Sequence, residues 1–254
     1  MIAKHSFQLL TIVIPARNEE GCICSTVQHL SSELRLQKVP HEIIVVDDGS
    51  SDHTWQFLQD LKKNIPELRS IQNIGQKGFG HAVMCGLNQM AGDAVIIMMA
   101  DESDDCKDVI RYWQQLNLGY DCVFGTRFCR QAKISNYPWN KLILNRLGNF
   151  FIQVLFLLPY NDVTNAFKCY SRKAIEGMSP LISCHFNLTV EMPLKAIIRG
   201  YKWCVIPTNW QGRDKGISKW KIKEMGSRYL FILFYLWLEK SLSRKDYHIS
   251  KTNG

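Results

Sequence analysis

Val95-Ile96-Ile97-Met98-Met99-Ala100-Asp101-Glu102-Ser103-Asp104-Asp105 runs from unbroken apolar side chains straight into four carboxylates. A short continuous apolar run reads as a strand covered on both faces. A carboxylate at the carboxyl end of such a strand stands where open α/β sheets take up ligands. Hard cations that bridge substrate phosphates need only one or two protein carboxylates. The same residues also suit a solvated acidic turn that caps a helix from about Asp105 to Leu118.

Two earlier stretches repeat the pattern. Leu10-Thr11-Ile12-Val13-Ile14 stops at Pro15-Ala16-Arg17-Asn18-Glu19-Glu20-Gly21, and a helix follows to about Leu36. Glu42-Ile43-Ile44-Val45-Val46 stops at Asp47-Asp48-Gly49-Ser50-Ser51-Asp52, where Ser51 or Asp52 is expected to cap a helix to about Lys63. A weaker strand, Leu68 to Asn73, precedes Gly75, Gly78 and Gly80 and a helix to about Met90. Asp121 to Phe124 is a further short strand. Strand and helix alternate, so the expected fold is α/β: a Rossmann-like, mainly parallel sheet flanked by helices. Loops that follow parallel strands gather along one edge, which places Pro15 to Glu19, Asp47-Asp48 and Asp101 to Asp105 along one crevice.

The 254 residues suffice for one large α/β domain or two small ones, and 46% hydrophobic against 21% charged excludes a disordered chain. The net charge of +8, concentrated between Arg199 and Lys251, suits phosphates, nucleotides, an anionic membrane or nucleic acid. Nine scattered cysteines lack zinc-site spacing and fit a reducing, cytoplasmic setting. Residues Met1 to Leu10 carry no signal-peptide core.

Neither G-x-G-x-x-G after the first strand nor G-x-x-x-x-G-K-[ST] occurs. Gly75-Gln76-Lys77-Gly78-Phe79-Gly80 reads as a turn and helix start, with Lys77 a candidate phosphate contact. Asp47 or Asp48 can accept hydrogen bonds from a ribose or base, or can cap the Ser50-Ser51-Asp52 turn.

In order and spacing, Ile12 to Glu19, Ile44 to Asp52, Gly92-Asp93 and Met99-Ala100-Asp101 resemble the family 2 glycosyltransferases of GT-A fold, and within them the dolichol-phosphate mannosyltransferase-like group. The resemblance spans about residues 9 to 240. It implies that Pro15, Ala16, Arg17, Asn18, Glu19, Asp47, Asp48, Lys77, Ala100, Asp101 and Ser218 bind the nucleotide sugar. Asp101 matches the second acid of the family's D-x-D metal motif; Met99 stands at the first, and Asp104 is a candidate helper for Mg2+ or Mn2+. Phe124-Gly125-Thr126-Arg127-Phe128 resembles the group's G-S-R motif, which assigns Arg127 and Lys141 or Arg146 to an acceptor phosphate. Without the resemblance, the basic residues here form the polar face of an amphipathic helix within Leu142 to Leu158.

Asn161 to Lys168 resembles a D-x-x-S-G-F-R segment on the acceptor side, and Phe186 to Pro193 a segment whose acid, Glu191, lies near the sugar. Trp210 to Lys219 resembles the R-x-x-G-x-S-K loop, with Arg213, Ser218 and Lys219 over the diphosphate. The implied reaction is inverting sugar transfer from GDP-mannose or a UDP-sugar to a polyprenyl phosphate, with a metal held at Asp101, together with Arg213 and Lys219, countering charge on the leaving diphosphate. A phosphate acceptor needs no base; a hydroxyl acceptor needs a carboxylate, for which Glu191 is the candidate. A nucleotidyltransferase, a catalytically dead nucleotide-sugar binding protein and a nucleic-acid binder are the rivals. The last is disfavoured because aromatic residues are not interleaved with basic ones.

No stretch reaches the roughly 18 apolar residues of a membrane span. Tyr229 to Leu238, flanked by Arg228 and Lys240, suits an interfacial anchor, a buried helix or an oligomer contact. The expected organisation is a GT-A domain over 1–225 and a C-terminal amphipathic helix with a basic tail over 226–254. The expected setting is cytoplasmic, peripheral on a membrane or joined to a separate membrane subunit.

Overall fold

The computed structural model describes residues 7–212, 222–243 and 246–249. The strands are β1 (Leu10–Ala16), β2 (His41–Asp47), β3 (Leu68–Gln72), β4 (Ala94–Ile97), β5 (Cys122–Thr126), β6 (Ile134–Ser135), β7 (Lys168–Ser171), β8 (Trp203–Pro207) and β9 (Trp210–Gln211). The helices are α1 (Ile23–Leu36), α2 (Thr54–Leu61), α3 (Phe79–Leu87), α4 (Cys106–Asn117), α5 (Trp139–Phe156), α6 (Arg172–Gly177), α7 (Leu188–Ile198) and α8 (Ile222–Leu242). Seven strands form one sheet in the order β3-β2-β1-β4-β7-β5-β8, parallel except for β7, which runs antiparallel to β4 and β5.

The apolar runs are continuous because both faces of the sheet are covered. Ile12, Ile14, Ile43 and Val45 pack with Ile23 and Val27 of α1, Leu58 of α2 and Val109 of α4. The alternate residues Val13, Val95 and Ile97 pack on the other face with Val83 of α3, Ile152 of α5 and Val190 of α7. Gly86 lets α3 come this close: a Cβ there would meet Val13 Cγ1 at 2.5 Å.

Sheet order reverses at β1, which has β2 on one side and β4 on the other. That reversal is the place where α/β sheets open a crevice at their carboxyl edge. Ala16 is paired in register with Asp47, Asp48 N donates to Ala16 O at 2.8 Å, and Met98 N donates to Val13 O at 3.0 Å. The loops after β1, β2 and β4 therefore stand side by side.

Several local expectations are corrected. β4 ends at Ile97 rather than Met99, because Asp104 Oδ2 takes the Met99 N–H at 3.0 Å and turns the chain. The second helix starts at Thr54; Asp52 bonds Thr54 N and Oγ1 ahead of it, and the N-cap residue is His53. Asp105 does cap α4, accepting from Lys107 N. α8 runs across residues 225 and 226, and its Ile232, Leu233 and Leu236 are buried in the same core as α7.

α5 reverses the amphipathic expectation. Only Asn149, Ile152 and Phe156 are buried, while Ile143, Leu147, Phe150, Phe151 and Val154 face outward.

Candidate active site

The wall formed by the β1 and β2 loops is interlocked. Asn18 sits in the left-handed region at φ 54°, a conformation asparagine tolerates. From there its backbone N–H donates to Ser50 Oγ at 2.9 Å, and its side-chain Oδ1 accepts from Ser51 N at 2.7 Å. Glu19 N donates to Thr54 Oγ1 at 2.8 Å. Pro15 and Ala16 are buried at the end of β1, whereas Arg17 and Asn18 are exposed.

Asp47 Oδ1 accepts from Ser50 N and Ser50 Oγ, so it caps the turn. Asp48 reaches the other way: Oδ1 accepts from Asn73 Nδ2 at 2.7 Å and Oδ2 from Gly78 N at 2.8 Å. Lys77 folds back onto Asn73 O and lies against Gly49. Asp47 thus shapes the loop after β2 and Asp48 ties it to the loop after β3, a role that Asn73 shares although the motif reading passed over it.

Beyond β4, Asp101 Oδ1 accepts from Ser103 Oγ at 2.6 Å and Ser103 N at 3.2 Å. Ala100 is buried, and its carbonyl accepts from Thr26 Oγ1 at 2.9 Å, pinning the turn to α1. Asp101 and Asp104 are both buried. Burial pushes the Asp104 carboxyl up to about 7, the Met99 N–H opposes the shift, and the Asp101 charge adds to it. Two desolvated carboxylates that feel each other are a site a divalent cation would relieve, and their hard oxygens suit Mg2+ or Mn2+. Among the described residues no group of three His, Cys, Asp or Glu converges on a metal position. A cation here would need further oxygens from a ligand or water.

A cleft of about 960 Å3 opens along this acidic turn. Its walls are one face of α1 from Cys22 to Leu36, the 101–107 turn, and the short β6–β9 pair. Pro15 to Glu19 and Asp47-Asp48 are not among its lining residues. β9 is tied across the turn: Trp210 bridges Asp104, Gln211 N donates to Ser103 O at 3.0 Å, and Gly212 N donates to Ser135 O at 2.9 Å. Arg213, Ser218 and Lys219 lie outside the described residues, but the stem that leads to them is anchored on the acidic turn.

The basic candidates divide. Arg127 is buried and paired with Asp162, with Nε at 2.9 Å from Oδ2, Nη2 at 2.7 Å from Oδ1, and its amide nitrogen at 2.8 Å from Oδ2. Rings of Phe128, Tyr137 and Trp210 surround the guanidinium. Much of its fork is therefore spent inside the protein. It still borders an open depression of about 490 Å3, together with Arg130, Arg146, Phe128, Ile134 and Leu142. Arg146 lies over the Phe128 ring, 4.6 Å from its centre. Lys141, on the first turn of α5, is not among the lining residues. Arg130 was missed by motif reading. Its signal is charge pattern: residues 122–161 hold Arg127, Arg130, Lys133, Lys141 and Arg146 and no acid.

Glu191 is held by a loop of its own. It lies in α7 with a fully buried side chain; its carboxylate accepts from Ile182 N at 2.9 Å and Ser183 N at 2.7 Å and pairs with Lys195 Nζ at 2.7 Å. All of these partners of the carboxylate, which the motif gave as an acid near the sugar, are protein groups.

Comparisons with known proteins agree with this architecture. The glucosyl-3-phosphoglycerate synthase of Mycobacterium tuberculosis, solved with Mn2+, uridine diphosphate and phosphoglyceric acid, superposes with a TM-score of 0.67 over 92% of this chain and 78% of that one at 17% identity. The same protein solved with Mg2+ and uridine diphosphate gives 0.66. These likenesses establish the GT-A fold.

Among curated sequences, the polyprenol monophosphomannose synthase of Mycolicibacterium smegmatis is 25% identical, over 84% of this chain and 81% of its own. The dolichol-phosphate mannosyltransferase of Pyrococcus furiosus is 26% identical over 84% of this chain, which spans 60% of that protein. The undecaprenyl-phosphate 4-deoxy-4-formamido-L-arabinose transferase of Yersinia enterocolitica is 28% identical over 89% of this chain, which spans 66% of that protein. The family model described as glycosyl transferase family 2 matches residues 11–178, more than half of the chain, and the protein belongs to that family.

Proposed function

We propose that this glycosyltransferase moves a sugar from a nucleoside-diphosphate sugar to a polyprenyl phosphate, with inversion, at a membrane surface. The observation that carries the reading is the arginine-lined depression at the start of α5, beside a helix that turns its apolar side chains outward. A phosphate suits the arginines, and an isoprenoid chain suits the helix face. The acid-free charge of residues 122–161 suits an anionic lipid surface. No helix of the described residues is long and apolar enough to cross a membrane, so contact through this part of the chain would be interfacial. The cytoplasmic face is the proposed side, in keeping with cysteines that are all unpaired among the described residues. The relatives named for polyprenol, dolichol and undecaprenyl phosphates favour the same acceptor class.

In this reading the loops 15–19 and 47–48 hold the nucleoside, and Asp101 with Asp104 holds Mg2+ or Mn2+. The bound cation supplies positive charge to the diphosphate. Asp104 and Ser103 hold the β9 stem, and Arg213, Ser218 and Lys219, which follow it in the sequence, counter charge on the departing nucleotide. Arg146 and Arg130 take the acceptor phosphate, and Arg127, locked by Asp162, stiffens that wall. A phosphate monoester carries more than one negative charge near neutral pH. It attacks without a base, which fits the enclosure of Glu191.

The test is nucleotide release from GDP- and UDP-sugars with Mg2+ or Mn2+, with and without a short polyprenyl phosphate. Release that depends on the lipid phosphate and is lost in Arg130→Ala/Arg146→Ala supports the reading. Turnover indifferent to lipid phosphate refutes it.

A further inference from the structure

One face of α7 grips a single loop. Glu191 accepts from Ile182 N and Ser183 N, Lys195 donates to Pro180 O, and Arg199 Nη1 donates to Gly177 O at 2.7 Å and Ser179 O at 3.1 Å. Glu191 and Lys195 of α7 and Arg199 at its C-cap sit at i, i+4 and i+8, along one stripe. Arg199 pairs in turn with Glu239 of α8 at 2.8 Å, with both side chains buried.

The far side of the loop meets the start of α3. His81 N donates to Cys184 O at 3.3 Å. A Cβ on Gly80 would overlap Ser183 O, and one on Gly78 would meet Cys184 O at 2.6 Å. The loop therefore lies directly on the backbone of Gly78 and Gly80, and Gly78 N is the donor that holds Asp48 Oδ2. The contact has no slack: a shift of residues 182–184 reaches Asp48 through packed backbone.

We infer that Glu191 is a positioning residue for the nucleotide pocket. It acts through the 182–184 loop on Gly78 and so sets the place of Asp48. The inference rests on the proposed reading of Asp48 as part of the nucleoside site. It gives a buried acid, with no path to substrate, a role in donor affinity and none in bond making.

The experiment compares the wild type with Glu191→Gln, which keeps the volume and removes the charge. Donor KM is expected to rise about tenfold, the effect of losing charge-assisted hydrogen bonds, with kcat, acceptor KM and the pH–rate profile unchanged. Hydrogen exchange at the Ile182, Ser183 and Gly78 amides is expected to quicken together. Should the orphaned Lys195 prevent folding, Glu191→Gln/Lys195→Met removes the stranded cation and the same readouts apply.

A fall in kcat with donor KM unchanged and a lost acid limb of the pH profile overturns the inference in favour of a base. Faster exchange at Ile182 and Ser183 alone, with KM and Gly78 unmoved, overturns it in favour of a purely local role. If the wild type turns over no nucleotide sugar, the functional reading fails on its own. Binding of GDP and UDP by calorimetry, with the exchange pattern, then decides the inference: weaker nucleotide binding in the variant upholds it, and equal binding overturns it.

Discussion

Replacing Asp162 with asparagine leaves a guanidinium buried without its counter-charge. Asp162 is fully enclosed and takes three hydrogen bonds from Arg127 alone, at 2.7 to 2.9 Å. Its neighbour Asn161 clamps the same segment, accepting from Thr126 Oγ1 at 2.6 Å and donating to Phe128 O at 2.9 Å. Breaking a buried pair on one side costs about 3–5 kcal/mol, against about 0–1 kcal/mol for an exposed pair. In a chain of this size each kcal/mol moves the melting temperature by about 2–4 °C, so Asp162→Asn should melt roughly 6–20 °C below the wild type. Circular dichroism with urea titration measures both quantities. The double variant Arg127→Met/Asp162→Leu, which removes both charges, should recover much of the loss. A single-variant loss under about 1 kcal/mol would refute the reasoning, because it would mean that water reaches the pair and Arg127 is free to serve an acceptor directly.

Asp101→Asn should lower turnover at least a hundredfold, as expected when charge stabilisation at a leaving group is removed; unchanged kcat and unchanged Mn2+ titration in the presence of nucleotide would count against Asp101 as a ligand. Lys168 donates from a fully buried site to the carbonyls of Val163, Asn165 and Thr189, and burial pulls its ammonium down to about 7, with Asp162 opposing, Arg127 adding and Asp104 opposing. Because the unfolded chain keeps that proton up to the ordinary value of 10.5, the unfolded state binds more protons between those limits, and stability should rise with pH across this window. Lys168→Met should flatten the rise in pH-dependent urea curves, and an unaltered slope would exclude Lys168 as its source. Phe150→Glu/Val154→Glu, on the outward face of α5, should abolish sedimentation with anionic vesicles while leaving the melting temperature within a few degrees. Equal sedimentation of variant and wild type would remove α5 from the membrane contact.

The fold was legible because its strands carry their environment in their composition. Runs such as Ile43 to Val46 have no polar residue to point at water, so both faces must be covered, and coverage by helices implies parallel pairing. The antiparallel β7 and the two-residue β6 and β9 were not legible. Short strands exist through partners distant in sequence: Ile134 is defined by Trp210, and Lys168 by Ile97 and Phe124. The acid positions stood out as breaks at strand ends, but their work did not. Asp47 and Asp48 read alike in sequence, yet one caps a turn and the other holds Asn73 and Gly78. Glu191 and Arg127 matched motif positions, and only the fold supplied Ser183, Lys195 and Asp162 to occupy them.

Sequence by itself determined the covered sheet, the edge on which Asp101 stands, the basic bias and the family, because hydrophobic period and chain order are properties of neighbours along the chain. Tertiary structure alone decided which charges are spent internally, that α5 turns its apolar side chains outward, and that Glu191 serves a loop. Burial and pairing of a charge depend on groups brought together from far along the chain. Asp162 lies 35 residues from Arg127 and Glu239 lies 40 from Arg199, and no local pattern encodes either meeting.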